Sequence, residues 1–180
     1  VRALGLRVEE LAGISVLRRT PFSSLRSFVR NLLGCGPAAV GEALQEAAAN
    51  HGVPPGLRAG LVEAAGAAIE DRDWSALTAQ ARRESMLAAI ADLVERTARR
   101  QPLLILVEDV HHLDPETTDL LVVLHRMTAR LPVWLLLTAR APARDEAARA
   151  ANEIIDLAPL AAEEAKEFCR VFSAPGAPRD

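Results

Sequence analysis

Two adjacent carboxylates, Glu108 and Asp109, end an unbroken apolar run, Leu103-Leu104-Ile105-Leu106-Val107. Removing a carboxylate from water is costly unless it meets solvent, a cation or hydrogen-bond donors. A magnesium ion held with nucleotide phosphates is one such cation. It takes one or two carboxylates, often through a bridging water, and keeps several waters of its own. A second carboxylate beside the first can orient or deprotonate an attacking water. Taken alone, the pair fits a plainer reading at least as well, in which two acids cap a strand at the protein surface.

Other chemistry-bearing residues have weaker claims. His111, His112 and Asp114 lie close in sequence, but adjacent histidines rarely converge on one ion from a turn, and Asp114 has a capping role. Ser23, Ser24 and Ser85 have no triad context, so nucleophilic hydrolysis has no support. The two cysteines, Cys35 and Cys169, are far apart and show no metal-ligand spacing. They read as free thiols of a cytosolic chain. Trp74 and Trp134 read as packing residues, and His125 as a near-surface residue of a helix.

The elements around the acids are well signalled. Five consecutive apolar residues without alternation predict a strand buried on both faces, as in a parallel sheet. Asp114 is a natural N-cap, Pro115 suits the first helical position, and Glu116 adds favourable charge to the first turn. Leu120, Leu121, Leu124 and Met127 form the apolar stripe of that helix, which Leu131-Pro132 ends. Val133-Trp134-Leu135-Leu136-Leu137-Thr138 is a second buried strand, followed by Ala139-Arg140. Two strands joined by a helix make a parallel, right-handed βαβ unit. Ligands bind outside the carboxyl ends of such strands. Three places meet that rule: Glu108-Asp109, Thr138 to Arg140, and the loop after Leu17.

Upstream, Val1, Leu4, Val8 and Leu11 fall at helical spacing and predict an amphipathic helix that Gly13 ends. Ile14-Ser15-Val16-Leu17 reads as a short strand. A helix then starts near Pro21, buries Phe22, Leu25, Phe28, Val29 and Leu32, and stops at Gly34-Cys35-Gly36-Pro37. Residues 38–72 read as alanine-rich helix broken at 52–56, and 36–74 as a helical insertion or lid. A helix over 75–100 buries Leu87, Ile90 and Val94 and carries Arg96, Arg99 and Arg100 in its last turns. Downstream, 153–157 reads as a short strand. The segment 159–164 opens a last helix with Phe168 and Phe172, and 173–180 is a frayed tail or linker.

Composition narrows the class. The chain has 180 residues, half of them hydrophobic, and a net charge of −3, which describes a globular domain without the basic footprint of a nucleic-acid binder. No apolar run approaches the ~20 residues of a membrane span. The start, Val1-Arg2-Ala3-Leu4, lacks a signal-peptide layout and reads as the middle of a longer chain, so a cytoplasmic location is expected. No repeat period is present.

The string from Gln101 to Leu121, with Glu108-Asp109-Val110-His111-His112-Leu113-Asp114-Pro115 at its centre, resembles the Walker B segment of the AAA+-like signal-transduction ATPases (STAND NTPases). These bacterial domains lie upstream of LuxR-type DNA-binding domains or are fused to class III nucleotide cyclases. Arg82-Arg83-Glu84 is similar to the family's preceding helix, Leu135 to Arg140 to its sensor-1 strand, and Asp156 to Ala165 to its next strand and helix. The resemblance covers roughly 82–168, and more loosely 1–34.

It implies that Glu108 takes the magnesium-associated position and Asp109 the water-activating one, although the order Glu-Asp inverts the usual Asp-Glu and leaves their division of labour open. It implies that Arg140, with Thr138 beside it, meets the terminal phosphate. His112 stands where many relatives carry tryptophan. The phosphate-binding pattern G-x-x-x-x-G-K-[ST] is absent, since Lys166 is the only lysine and follows Ala165.

The expectation is a three-layer α/β, P-loop NTPase-like parallel sheet over 1–172, with the first strand and P-loop missing. It would use ATP and Mg2+ only when complete, be unable to hydrolyse ATP alone, serve an attached output domain, and self-associate through an unpaired edge. The alternative is a non-enzymatic protein-interaction scaffold or a decayed pseudo-ATPase.

Overall fold

The computed structural model describes residues 5–17, 19–140 and 151–172. Three parallel strands form one sheet in the order β1 (Arg7–Ala12), β2 (Leu103–Glu108), β3 (Val133–Leu137). The register sets Arg7 against Leu103 and Leu103 against Val133, so matching residues share a face across all three strands. Leu11, Leu103, Ile105, Val107 and Val133 point to the face that the helices cover, and all are buried. Both crossovers, β1 to β2 and β2 to β3, advance in the same direction. Right-handed connections therefore put their helices on the same face. The chain is thus α/β, with helices against one side of a parallel sheet. A second helical layer, as a three-layer fold requires, is not among the described residues.

The first crossover is long. It runs through α1 (Leu25–Leu33), α2 (Gly41–Asn50), α3 (Pro55–Ala64), α4 (Arg72–Ala76) and α5 (Ala79–Arg100). Gly34 ends α1 in the left-handed conformation at φ 70°, where glycine has no Cβ penalty. Segment 36–74, expected as an insertion or lid, contributes Leu44, Val53, Leu61, Val62 and Trp74 to the same core as the sheet. Arg30 ties it down, donating to the carbonyls of Gly36, Ala39 and Ala65 at 2.8–3.0 Å. Asp71 caps α4 and Thr78 caps α5, so the helix expected over 75–100 is two helices. The second crossover is α6 (Pro115–Thr128), which begins at the Asp114 cap and Pro115 as its sequence predicts.

Three elements differ from expectation. Residues 7–12 form a strand, not a helix, because the backbone pairs with β2 along its full length and Leu11 is buried against the core. Val8 points to the other face and is exposed, so its helical spacing from Leu11 was coincidental. Residues 15–17 make a single 3-10 turn rather than a strand. Residues 153–157 have no strand partner, and Ile154, Ile155 and Leu157 are exposed. A last helix, α7 (Ala162–Phe172), starts slightly later than expected. The first residues of the expected N-terminal helix and the 173–180 tail lie outside the described residues.

Candidate functional site

The site is built from the turn after β2. Glu108 ends the strand with its side chain on the sheet face opposite the helices, opposite Ala12 in register. Asp109 follows in the left-handed region at φ 50°. Aspartate is one of the few residues other than glycine that visits this region at modest cost. The turn continues as a 3-10 turn over Val110–His112, with the His112 N–H donating to the Asp109 carbonyl at 2.7 Å. The Asp109 carboxylate is left about half exposed.

Thr138 holds that turn from the neighbouring strand. The Asp109 N–H donates to the Thr138 hydroxyl oxygen at 3.1 Å, and the Val110 N–H to the Thr138 carbonyl at 3.0 Å. The Thr138 N–H in turn donates to the Val107 carbonyl at 2.9 Å. Asp109 and Thr138, both expected at the site, are therefore brought together. Arg140 is exposed two residues beyond, and has no ion-pair partner among the described residues. It makes no bond with Glu108 or Asp109.

The loop after β1 closes the other side. The Gly13 N–H donates to the Glu108 carbonyl at 2.9 Å. A Cβ on Gly13 would stand 2.4 Å from the Asp109 carbonyl oxygen, so only glycine lets the two loops approach this closely. Asp114 makes a second tie. It is 1 % exposed and accepts from the Thr117 N–H (3.0 Å), the Thr117 hydroxyl (2.8 Å) and the Phe22 N–H (3.2 Å). The last bond spans the two loops and holds Phe22 at φ 57°, an unusual conformation for a bulky residue. The third expected place, the loop after Leu17, is thus joined to the acidic turn through Asp114.

The sequence assigns His111 no ligand role, yet its Nε2 lies 3.8 Å from an Asp109 carboxylate oxygen, while its buried Nδ1 has no hydrogen-bond partner among the described residues. Its ring stacks at a tilt on His112, centroids 4.0 Å apart. The pattern Asp-x-His was the available signal. Among the described residues no group of three or more His, Cys, Asp or Glu side chains could hold a metal ion. No helix among them is long and apolar enough to cross a membrane. Of the two tryptophans, Trp74 is buried, its indole donating to Glu63, whereas Trp134 is 52 % exposed and is not a core residue.

Chemically, the turn offers two exposed hard-oxygen donors. They suit magnesium, which accepts one or two carboxylates and retains water. They do not suit phosphate, which needs convergent N–H groups or cations.

An uncharacterised protein of Rhizobium meliloti (strain 1021) is 38 % identical to this chain over 85 residues, which make up 47 % of this chain and 8 % of that protein. The chain therefore spans a small part of that relative's length. No family model and no solved structure matches the chain.

Proposed function

We propose that the chain is part of the ATP-binding switch core of a bacterial regulatory ATPase, P-loop NTPase-like and cytoplasmic, lacking the phosphate-binding loop. The observation that carries this reading is the acidic turn at the carboxyl end of the central parallel strand, braced by Thr138 from the next one. Ligands of parallel α/β sheets bind at that end.

In this reading Glu108 and Asp109 hold magnesium through water, and Asp109 or Glu108 orients the attacking water in the complete domain. Thr138 fixes the direction of Asp109, and Arg140 meets the terminal phosphate. ATP in place of ADP would bias a conformation that an attached DNA-binding or cyclase domain reads. These 180 residues hold no G-K-[ST] loop, so they retain the acids without the main grip on the phosphates.

The test is magnesium-dependent binding of a fluorescent ATP analogue, with Glu108→Gln/Asp109→Asn as control. The expected result is no binding by this chain, and binding that requires both acids once a phosphate-binding loop is joined upstream. In that extended chain Asp109→Asn lowers hydrolysis more than binding, and Arg140→Ala weakens the preference for ATP over ADP. An extended chain that binds nucleotide equally well without the acids would overturn the assignment. One observation favours a second reading, a non-enzymatic interaction scaffold: the sheet face opposite the helices leaves Val8, Trp134 and Leu136 exposed.

A further inference from the structure

Helices α5 and α6 meet where Arg83 pairs with Asp119, but they do not stay in contact along their length. Further along they leave a groove of about 560 Å³, open to solvent. Its floor is Ala88 and Ala91 on α5 and Val123 and Met127 on α6. Residues three apart on a helix share a face, so the two alanines present adjoining methyl groups that cannot reach across to α6. A space of this size with an apolar floor suits a small molecule with an apolar body.

The rims are charged. Asp92 and Glu95 stand on the α5 side, Arg126 and Arg130 on the α6 side. The acids are already engaged by arginines of their own helix. Asp92 accepts from Arg96 at 2.6 and 3.0 Å, and Glu95 accepts from Arg99 at 2.7 and 3.1 Å. Arg130 reaches Glu95 only at 3.9 Å, and Arg126 has no ion-pair or hydrogen-bond partner among the described residues. The positive charge left over therefore sits on the α6 rim, in the groove itself. An uncharged apolar molecule would leave that charge unmet, and a cation would be repelled. A carboxylate would meet it with charge-assisted hydrogen bonds from two guanidinium groups.

We propose that this groove binds a small carboxylate with an apolar body. The apolar part lies along Ala91, Val123 and Met127, and the carboxylate sits between Arg126 and Arg130. The site is in the second half of α6, away from the acidic turn that precedes the helix, and is independent of the nucleotide reading.

Calorimetric titration of the 180-residue chain with octanoate, octanol and octyltrimethylammonium, each below the concentration at which it forms micelles or separates, tests this. The expected result is saturable binding of octanoate, with the alcohol and the cation about tenfold weaker or more. Arg126→Glu weakens octanoate by about the same factor. Arg126 is exposed, so that variant keeps the fold, which circular dichroism checks. Ala91→Phe fills the groove and abolishes binding. Trp134→Glu, on the sheet face opposite the helices, leaves binding unchanged. A chain that does not take up octanoate saturably overturns the proposal. So does one that binds octanol equally well, or one whose octanoate binding ignores Arg126→Glu. Loss with Trp134→Glu in place of Arg126→Glu would overturn it too, and assign the ligand to the sheet face.

Discussion

Asp114 does more for this molecule than either of the acids that precede the turn. A buried carboxylate is tolerated only with its oxygens engaged, and here three donors converge on it, two from Thr117 in the first turn of α6 and one from Phe22 in the loop before α1. Asp114→Ala removes a helix cap and leaves a buried hydroxyl and an N–H unsatisfied, so it should cost about 3 kcal/mol in urea unfolding. Asp114→Asn should cost less, since an amide oxygen still accepts. His51 carries a pH prediction. Burial lowers its pKa below 6.5, and Arg100 and then Arg7 lower it further. Above 6.5 the folded and unfolded chains both hold it neutral and it contributes nothing. As pH falls through 6.5, the unfolded chain takes a proton that the folded chain resists. Stability therefore drops until the folded pKa is passed, and is level below it. His51→Gln should remove that part of the loss, seen by comparing unfolding midpoints at about pH 7.5 and about pH 5.5.

Elements meet where small residues let them. Helices α3 and α5 cross at Gly60, where a Cβ would lie 3.0 Å from the Ser85 carbonyl and 3.2 Å from the Ala89 methyl. Gly60→Leu forces the helices apart and should cost about 1–3 kcal/mol, read from the denaturation midpoint. Helix α5 is joined to the first turn of α6 by Arg83, which pairs with Asp119 and reaches Glu116 at 4.0 Å. Strand β1 is held on its helix-facing side by an ion pair of Arg7 with buried Glu9 at 2.7 Å. Arg7 also donates to the last carbonyls of α1, Asn31 and Leu32, at 2.8 and 3.2 Å. These contacts are remote in sequence, which is why the helical spacing of Val8 and Leu11 misled and the pairing with β2 prevailed.

At the scale of the whole molecule, one core serves sheet and helices, while the opposite sheet face lies open. Apolar area left in water adds nothing to stability. The chain alone should therefore melt at low temperature or self-associate. Calorimetry on a dilute sample that returned a clean monomer with a high melting temperature would count against this.

Local chemistry was enough to place the acids and their supports. The positions of the strands at 103–108 and 133–137, the Asp114-Pro115 helix start and the Gly34 stop were legible, because each depends on a few neighbouring residues, but burial of both strand faces was not, since Trp134 and Leu136 lie exposed. From them followed Glu108 and Asp109 at a strand end, with Thr138 at the end of another. The bond between Thr138 and Asp109, the nearness of His111, the tie from Phe22 to Asp114 and the need for glycine at 13 all join residues distant in sequence or set by backbone torsions. Periodicity carries no information about such pairs. The same holds for the open sheet face: alternation within a strand can mark which residues share a side, but whether a side is covered depends on the direction of every crossover.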